Sequence, residues 1–295
     1  MPIIRWLSII CLIIFTNCDR EIPLPNLEVE PVMVADFTFN PDAIWQLYLT
    51  QSTTLVNADT LLFIPDAEVI VENLKTGEKI SLGYDGNGFY SAKNTFPLSN
   101  TPYSFTASAN GLHTITAQSQ SPLPFSIELN GFSTFQYRGR DNYQFEFTIN
   151  DNPTEDNFYL IEIQYNLLIN DTLHTAKAGH FSQDSNSDNE RIEIDHDSLN
   201  QSYLLDHTFN GQAYTTEVSG NSYLLKELPK ASSAHAIISI KSINRAGYDY
   251  AKSIESFLIN VESLVLEPDA ILSNIENGLG VFAGFTEQRI EVQLK

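Results

Sequence analysis

Cysteine is the first scarcity of this sequence. Its 295 residues include two, Cys11 and Cys18, both within the first twenty positions. Beyond Cys18 there is no thiol, so the folded part has no disulfide framework, no thiolate metal site and no cysteine nucleophile. Apolar cores must then hold the fold, and the length suits two domains of ordinary size. Basic residues are also few: 16 Lys and Arg stand against 37 Asp and Glu, a formal net charge of −21. That balance repels polyphosphate, which argues against a nucleic-acid partner. It repels anionic headgroups too, so attachment to a membrane would need something other than a basic patch. The N-terminal apolar stretch, Trp6 to Phe15, is ten residues long, about half of the roughly 20 that span hydrocarbon as a helix. What is abundant is apolar and aromatic surface, at 42% and 11% of residues, a composition that folds.

The apolar stretch follows Arg5 and gives way to Thr16-Asn17, then Cys18, then Asp19-Arg20-Glu21. One charge, a short apolar segment and a small or polar exit make a secretory signal. The arrangement resembles a bacterial lipoprotein signal, which implies that residues 1–17 are removed and that Cys18 becomes a lipidated N-terminus. An ordinary secretory signal cleaved nearby, or a structural cysteine, is the alternative reading. A chain beginning at Cys18 has 15 basic and 37 acidic residues and a net charge of −22. Residues 18–31 carry Pro23, Pro25 and Pro31 and read as an extended tether.

From residue 32 to 121, short alternating runs such as "VMVADFTF", "WQLYLTQSTTL" and "AEVIVENL" are punctuated by Thr76-Gly77, Asp85-Gly86-Asn87-Gly88 and Asn110-Gly111. Period-2 alternation with hairpin punctuation predicts a β-sandwich, and the piece "PDAEVIVENLKTGEKISLGYDGNGFYSA" resembles the transthyretin or carboxypeptidase-regulatory type. "SPLP" at 121–124 reads as the linker. Residues 125–295 predict a second, fibronectin-like sandwich with an insertion at about 171–230. Within it, "SQDSNSDNE" (182–190) reads as a polar loop and Asn210-Gly211 as a hairpin turn. In "YAKSIESFLINVESLVL" the apolar residues recur at three- and four-residue spacings, predicting an amphipathic helix over about 249–265 that packs on the second sandwich. The fold class expected is mainly β.

Local catalytic and cofactor motifs are missing. "GLGVFA" (278–283) satisfies G-x-G-x-x-G/A formally, but a strand-like tail follows where the dinucleotide fingerprint needs a helix. Asp85–Gly88 lacks the ligand spacing and closing Glu of a calcium loop, and the acids Asp184, Asp188 and Glu190 read as solvated surface. The six histidines, His113, His174, His180, His196, His207 and His235, form no H-x-H or H-x-x-x-H pair, and there is no G-x-S-x-G elbow. Catalytic sets assembled from distant residues, such as Ser-His-Asp or paired carboxylates, leave no trace in a single sequence. No catalytic residue, cofactor or metal ligand is assigned; Cys18 is the one modification site, and the ligand-binding residues are unknown.

Several stretches in order, namely "CDREIPLP", "PDAEVIVEN…GEKISL…DGNGFY", "FTINDNPTEDNFYLIEI", "LLDHTFNGQAY", "YDYAKSIESF" and "SNIENGLGVFAGF", resemble the domain-of-unknown-function family 4249. What the resemblance implies is an outer-membrane lipoprotein of Bacteroidota, on the periplasmic or cell-surface face, working beside a TonB-dependent transporter of the SusC type in nutrient capture. It implies an accessory or binding role and not an enzyme. The residues it marks, Asp151, Pro153, Asn157, Tyr159, Asp206, Gly211, Asn274, Gly278 and Gly280, come over as structural markers. An envelope hydrolase acting on glycan or peptide, and a structural or adhesive surface module, are the competing readings.

Overall fold

The structure is a computed structural model, and it describes residues 30–53, 61–137, 140–181, 202–261 and 269–295. It is mainly β. Eight strands come first among the described residues: β1 (Met33–Phe39), β2 (Trp45–Gln51), β3 (Leu62–Phe63), β4 (Glu68–Asn73), β5 (Lys79–Gly86), β6 (Phe89–Ala92), β7 (Pro102–Ser108) and β8 (Ile115–Gln120). Alternation decides which face is buried: Trp45, Leu47 and Leu49 of β2 point inward, while Gln46 and Tyr48 point out. Phe37, Phe105 and Phe282 meet in this first core, with ring centroids 5.0 to 5.6 Å apart.

The second unit contains β9 (Ser126–Tyr137), β10 (Arg140–Asn150), β11 (Phe158–Ile169), β12 (Thr172–Lys177), β13 (Gly179–Phe181), β14 (Ser202–Leu205), β15 (Ala213–Asn221) and β16 (Ser233–Ile243). One sheet runs β13-β15-β10-β9; the facing one has β12 and β14 on one edge of β11 and β16 on the other. Phe145, Phe147, Tyr159, Tyr165, Ile238 and Ile240 fill the space between them. The described parts of the stretch expected as an insertion, 171–181 and 202–230, are therefore built into this sandwich. β15 pairs with β10 over eight residues, because its inward Thr216 and Val218 complete the same core. Asn210-Gly211 does turn the chain, Gly211 having φ +73°, but no hairpin results: β14 and β15 lie in opposite sheets.

The last strand, β17 (Leu279–Gln293), serves both units. Leu279–Gly284 pairs in parallel with β1, and Phe285–Gln293 pairs antiparallel with β16. The expected boundary, with everything from 125 onward in the second sandwich, is corrected here: Phe282 belongs to the first core. A parallel pair needs a long crossover, and here the chain between β1 and β17 runs through β2–β8 and then the second sandwich. The first sheet thus runs β17-β1-β2-β6-β5-β4-β7-β8. It nearly closes on itself, since Thr116 of β8 bridges Glu276 just before β17.

A helix, α1 (Arg245–Val261), begins four residues earlier than the apolar spacing suggests. Asn244 is its cap: the side-chain Oδ1 accepts from the Gly247 amide at 3.0 Å. The same side chain donates to Ser119 Oγ at 2.6 Å and to the Gln120 carbonyl at 2.9 Å, tying the helix start to the end of β8. The expected C-terminal part of the helix, 262–265, lies outside the described residues, as do Cys18, most of the tether, and the polar segment 182–190. No helix among the described residues is long and apolar enough to cross a membrane.

Candidate functional site

Two of the marked segments, linked across 49 positions by Asn157 and Asp206, meet in one hydrogen-bond network around these two buried side chains. Asp151-Asn152-Pro153 ends β10, and the Thr154 amide bonds back to Asn152 Oδ1 at 3.1 Å, which turns the chain toward β11. Asp206 opens a single turn of 3-10 helix after β14. Asn157, 2% exposed, sits between them. Its amide donates to Asp206 Oδ2 at 2.7 Å and its side-chain nitrogen to Asp151 Oδ1 at 3.1 Å. Its side-chain Oδ1 accepts from Ser242 Oγ at 2.9 Å. The Tyr159 hydroxyl donates to the same Asp151 oxygen, and the Gly211 amide donates to Asp151 Oδ2 at 2.6 Å. Burial pushes the Asp206 carboxyl up and the nearby Asp151 adds to this, while the Asn157 hydrogen bonds pull the other way. Burial and the Asp151 carboxylate also raise the Tyr159 phenol far above its ordinary range. A β-carbon on Gly211 would come within 2.4 Å of Pro153 Cβ. Every oxygen named here has a donor among the described residues, so the network fixes two loops.

The C-terminal markers are equally structural. Asn274 makes a reciprocal pair with the Phe282 backbone, accepting from its amide at 2.9 Å and donating to its carbonyl at 2.8 Å. Gly278 and Gly280 let β17 pass against Met33 and Ala35, and "GLGVFA" continues as strand where a dinucleotide site needs a helix. Asp85–Gly88 turns β5 into β6 with positive φ at Gly86, Asn87 and Gly88. His113 pairs with Glu30 in the first unit and His235 with Glu291 in the second. His196 lies outside the described residues. Among the described residues no group of three or more His, Cys, Asp or Glu side chains is placed to hold a metal ion.

Open concave surface occurs elsewhere. A groove of about 290 Å³ lies on the outer face of the first sandwich, floored by Asp36, Thr38, Gln46, Tyr48 and Phe89 and walled by Phe285. Asp36 is opposite Tyr48, and Tyr48 is opposite Phe89, in one row across β1, β2 and β6. A second cleft, about 320 Å³, lies at the junction of the units, lined by Ser121, Glu155, Asp156, Phe158, Asn244 and Arg245. Sequence reasoning missed the groove, although a signal exists. Tyr48 and Phe89 are aromatic residues in the outward, polar phase of their strands, a position that core packing does not explain.

The fold and these surfaces define a mainly β, two-sandwich protein whose marked residues build structure. The chain matches the family described as "Domain of unknown function (DUF4249)" over residues 20–291. It belongs to that family. No curated protein matches it. Among solved structures, that of the Enterococcus faecalis MSCRAMM ACE, described as binding its ligands by the collagen Hug model, is 6% identical, covering 88% of this chain and 93% of that one. Its TM-score is 0.22, too low for the likeness to carry an argument.

Proposed function

We propose that this chain is a lipid-anchored envelope protein that captures a ligand beside a TonB-dependent transporter of the outer membrane. One observation carries the reading: Cys18 stands two residues, Thr16 and Asn17, beyond the apolar stretch Trp6 to Phe15 and is the sole cysteine after it. Acylation of Cys18 would confine the protein to the membrane, since each buried methylene contributes about 0.8 kcal/mol and several chains together hold practically for good. The proline-containing tether would set the reach of the two sandwiches. The surface charge fits the same picture, because an acidic body is held off anionic headgroups and needs a covalent anchor.

The test is a Cys18→Ser variant expressed in the native host. Wild type should fractionate with outer membranes and incorporate labelled palmitate, and the variant should do neither. A variant that still pellets with membranes would falsify the anchor. Pull-down of the tagged wild type should bring a transporter with it; a protein that comes down alone would favour an adhesive module instead.

A further inference from the structure

We infer that the groove on the outer face of the first sandwich binds a neutral saccharide. This rests on the reading of the chain as a ligand-capturing protein and adds the ligand's chemistry. The Tyr48 and Phe89 rings are neighbours at 4.9 Å between centroids, inclined by 47°. Phe63 extends the row at 6.5 Å from Tyr48, and Phe89 and Phe63 stay 40% and 39% exposed. Aromatic surface left in water on a strand face is unfavourable unless something covers it. Interleaved with the rings are a carboxylate, a hydroxyl and an amide, those of Asp36, Thr38 and Gln46. None of the three makes a side-chain hydrogen bond to the described residues.

This combination selects among ligands. A purely apolar ligand would cover the rings but strand three polar groups away from water, a cost with no return. An anion meets Asp36 and no lining cation; Lys241, 5.8 Å from the Phe285 ring, is held by Glu162 at 2.6 Å. A sugar ring satisfies both halves. Its C–H face carries partial positive charge toward the negative face of an aromatic ring, and its hydroxyls both donate and accept around the rim, as Asp36, Thr38 and Gln46 require. The groove's 290 Å³ lies just below the usual range of ligand-site volumes, about 300 Å³ upward, which suits one or two sugar units.

The experiment titrates the purified full chain in detergent with maltotriose, cellotriose, xylotriose and mannotriose by calorimetry, with saturation-transfer NMR to detect weak binding. At least one should bind with a Kd of about 1 mM or tighter. Phe89→Ala and Gln46→Ala should each weaken that binding about three- to tenfold. Phe132→Ala, an exposed aromatic of the second sandwich, should leave it unchanged. All three sites are on the surface, and unchanged Trp45 emission confirms that the first core is intact. The inference is overturned if no trisaccharide saturates by about 10 mM, or if binding survives both groove substitutions. It is equally overturned if spermidine binds in place of the sugars and Asp36→Asn abolishes that binding. Failure here leaves the Cys18 fractionation result untouched, and failure of the anchor leaves the purified chain's binding untouched.

Discussion

At Gly280 a β-carbon would stand 1.9 Å from the Ala35 carbonyl oxygen, and the backbone there has φ +108°, a region closed to L side chains. Both facts come from the same event, the approach of β17 to β1. Gly280→Ala should therefore destabilise the protein by at least about 3 kcal/mol, seen as a lowered midpoint in urea unfolding. Gly83→Ala is the control: a β-carbon there meets nothing within 4 Å and φ is ordinary, so a change within about 0.5 kcal/mol is expected. If the two variants unfold alike, the close approach of β17 to β1 is wrong. The sequence offers the glycine but not its partner. "GLG" advertises special backbone, while the atom it must avoid lies some 240 positions earlier. The same holds for Asp151, Asn157 and Asp206. Asp151-Asn152-Pro153 is legible as a strand ending, yet the hydrogen bond from Asn157 to Asp206 spans 49 residues and no local rule contains it.

Elements were legible in proportion to how local their cause is. Most strands follow from alternation, and α1 from its apolar spacing, but its true start depends on Asn244, whose capping role was masked by the outward β16 pattern before it. β17 was legible as a strand and not as a shared one. Its first half is buried on both faces, inside by the first core and outside by α1, where Gly247 passes Ala283 closely; such a strand shows no alternation to assign. The middle of β11 shows a further effect of sheet placement. Glu162, 12% exposed at its side chain, lies between Lys177 at 2.7 Å and Lys241 at 2.6 Å. Burial alone would raise its carboxyl, but the two ammonium groups outweigh that and hold it down at about 2. The unfolded carboxyl titrates near 4.3, so the folded state binds the proton more weakly. Its contribution of about 3 kcal/mol is present above pH 4.3 and lost as pH falls toward 2. Glu162→Gln should be less stable than wild type at pH 7, and the gap should narrow between pH 5 and 2. A pH-independent gap in denaturant midpoints would show that the pair does not carry the stability assigned to it.

For the whole molecule the question is whether two cores mean two independently folding bodies. The connectivity says they do not. Removing β17 would take Phe282 from the first core and expose the whole edge of β1, and it would equally strip the β16 edge of the second. The junction is fastened again by Asn244 on Ser119 and by the Gly284 amide on the same hydroxyl at 3.3 Å. Gly284 has no room for a β-carbon against Ser121, at 2.4 Å. A lesion confined to one unit should therefore be felt in the other, and Trp45, fully buried in the first core, is the reporter. Asn157→Ala lies in the second unit; it removes one donor each from Asp151 and Asp206, which keep the Tyr159 hydroxyl and the residue-157 backbone amide, and takes away the acceptor of the fully buried Ser242 hydroxyl. Its cost should be about 3 kcal/mol. If the shared strand couples the sandwiches, Trp45 fluorescence and far-UV circular dichroism should report one coincident urea transition in wild type. In Asn157→Ala both signals should shift to the same lower midpoint. A Trp45 transition that stays in place while the circular dichroism splits into two steps would mean that the first sandwich keeps β17 after the second has unfolded. The coupling would then be covalent only, and a ligand held in the outer groove would be sensed no further than the sheet that holds it.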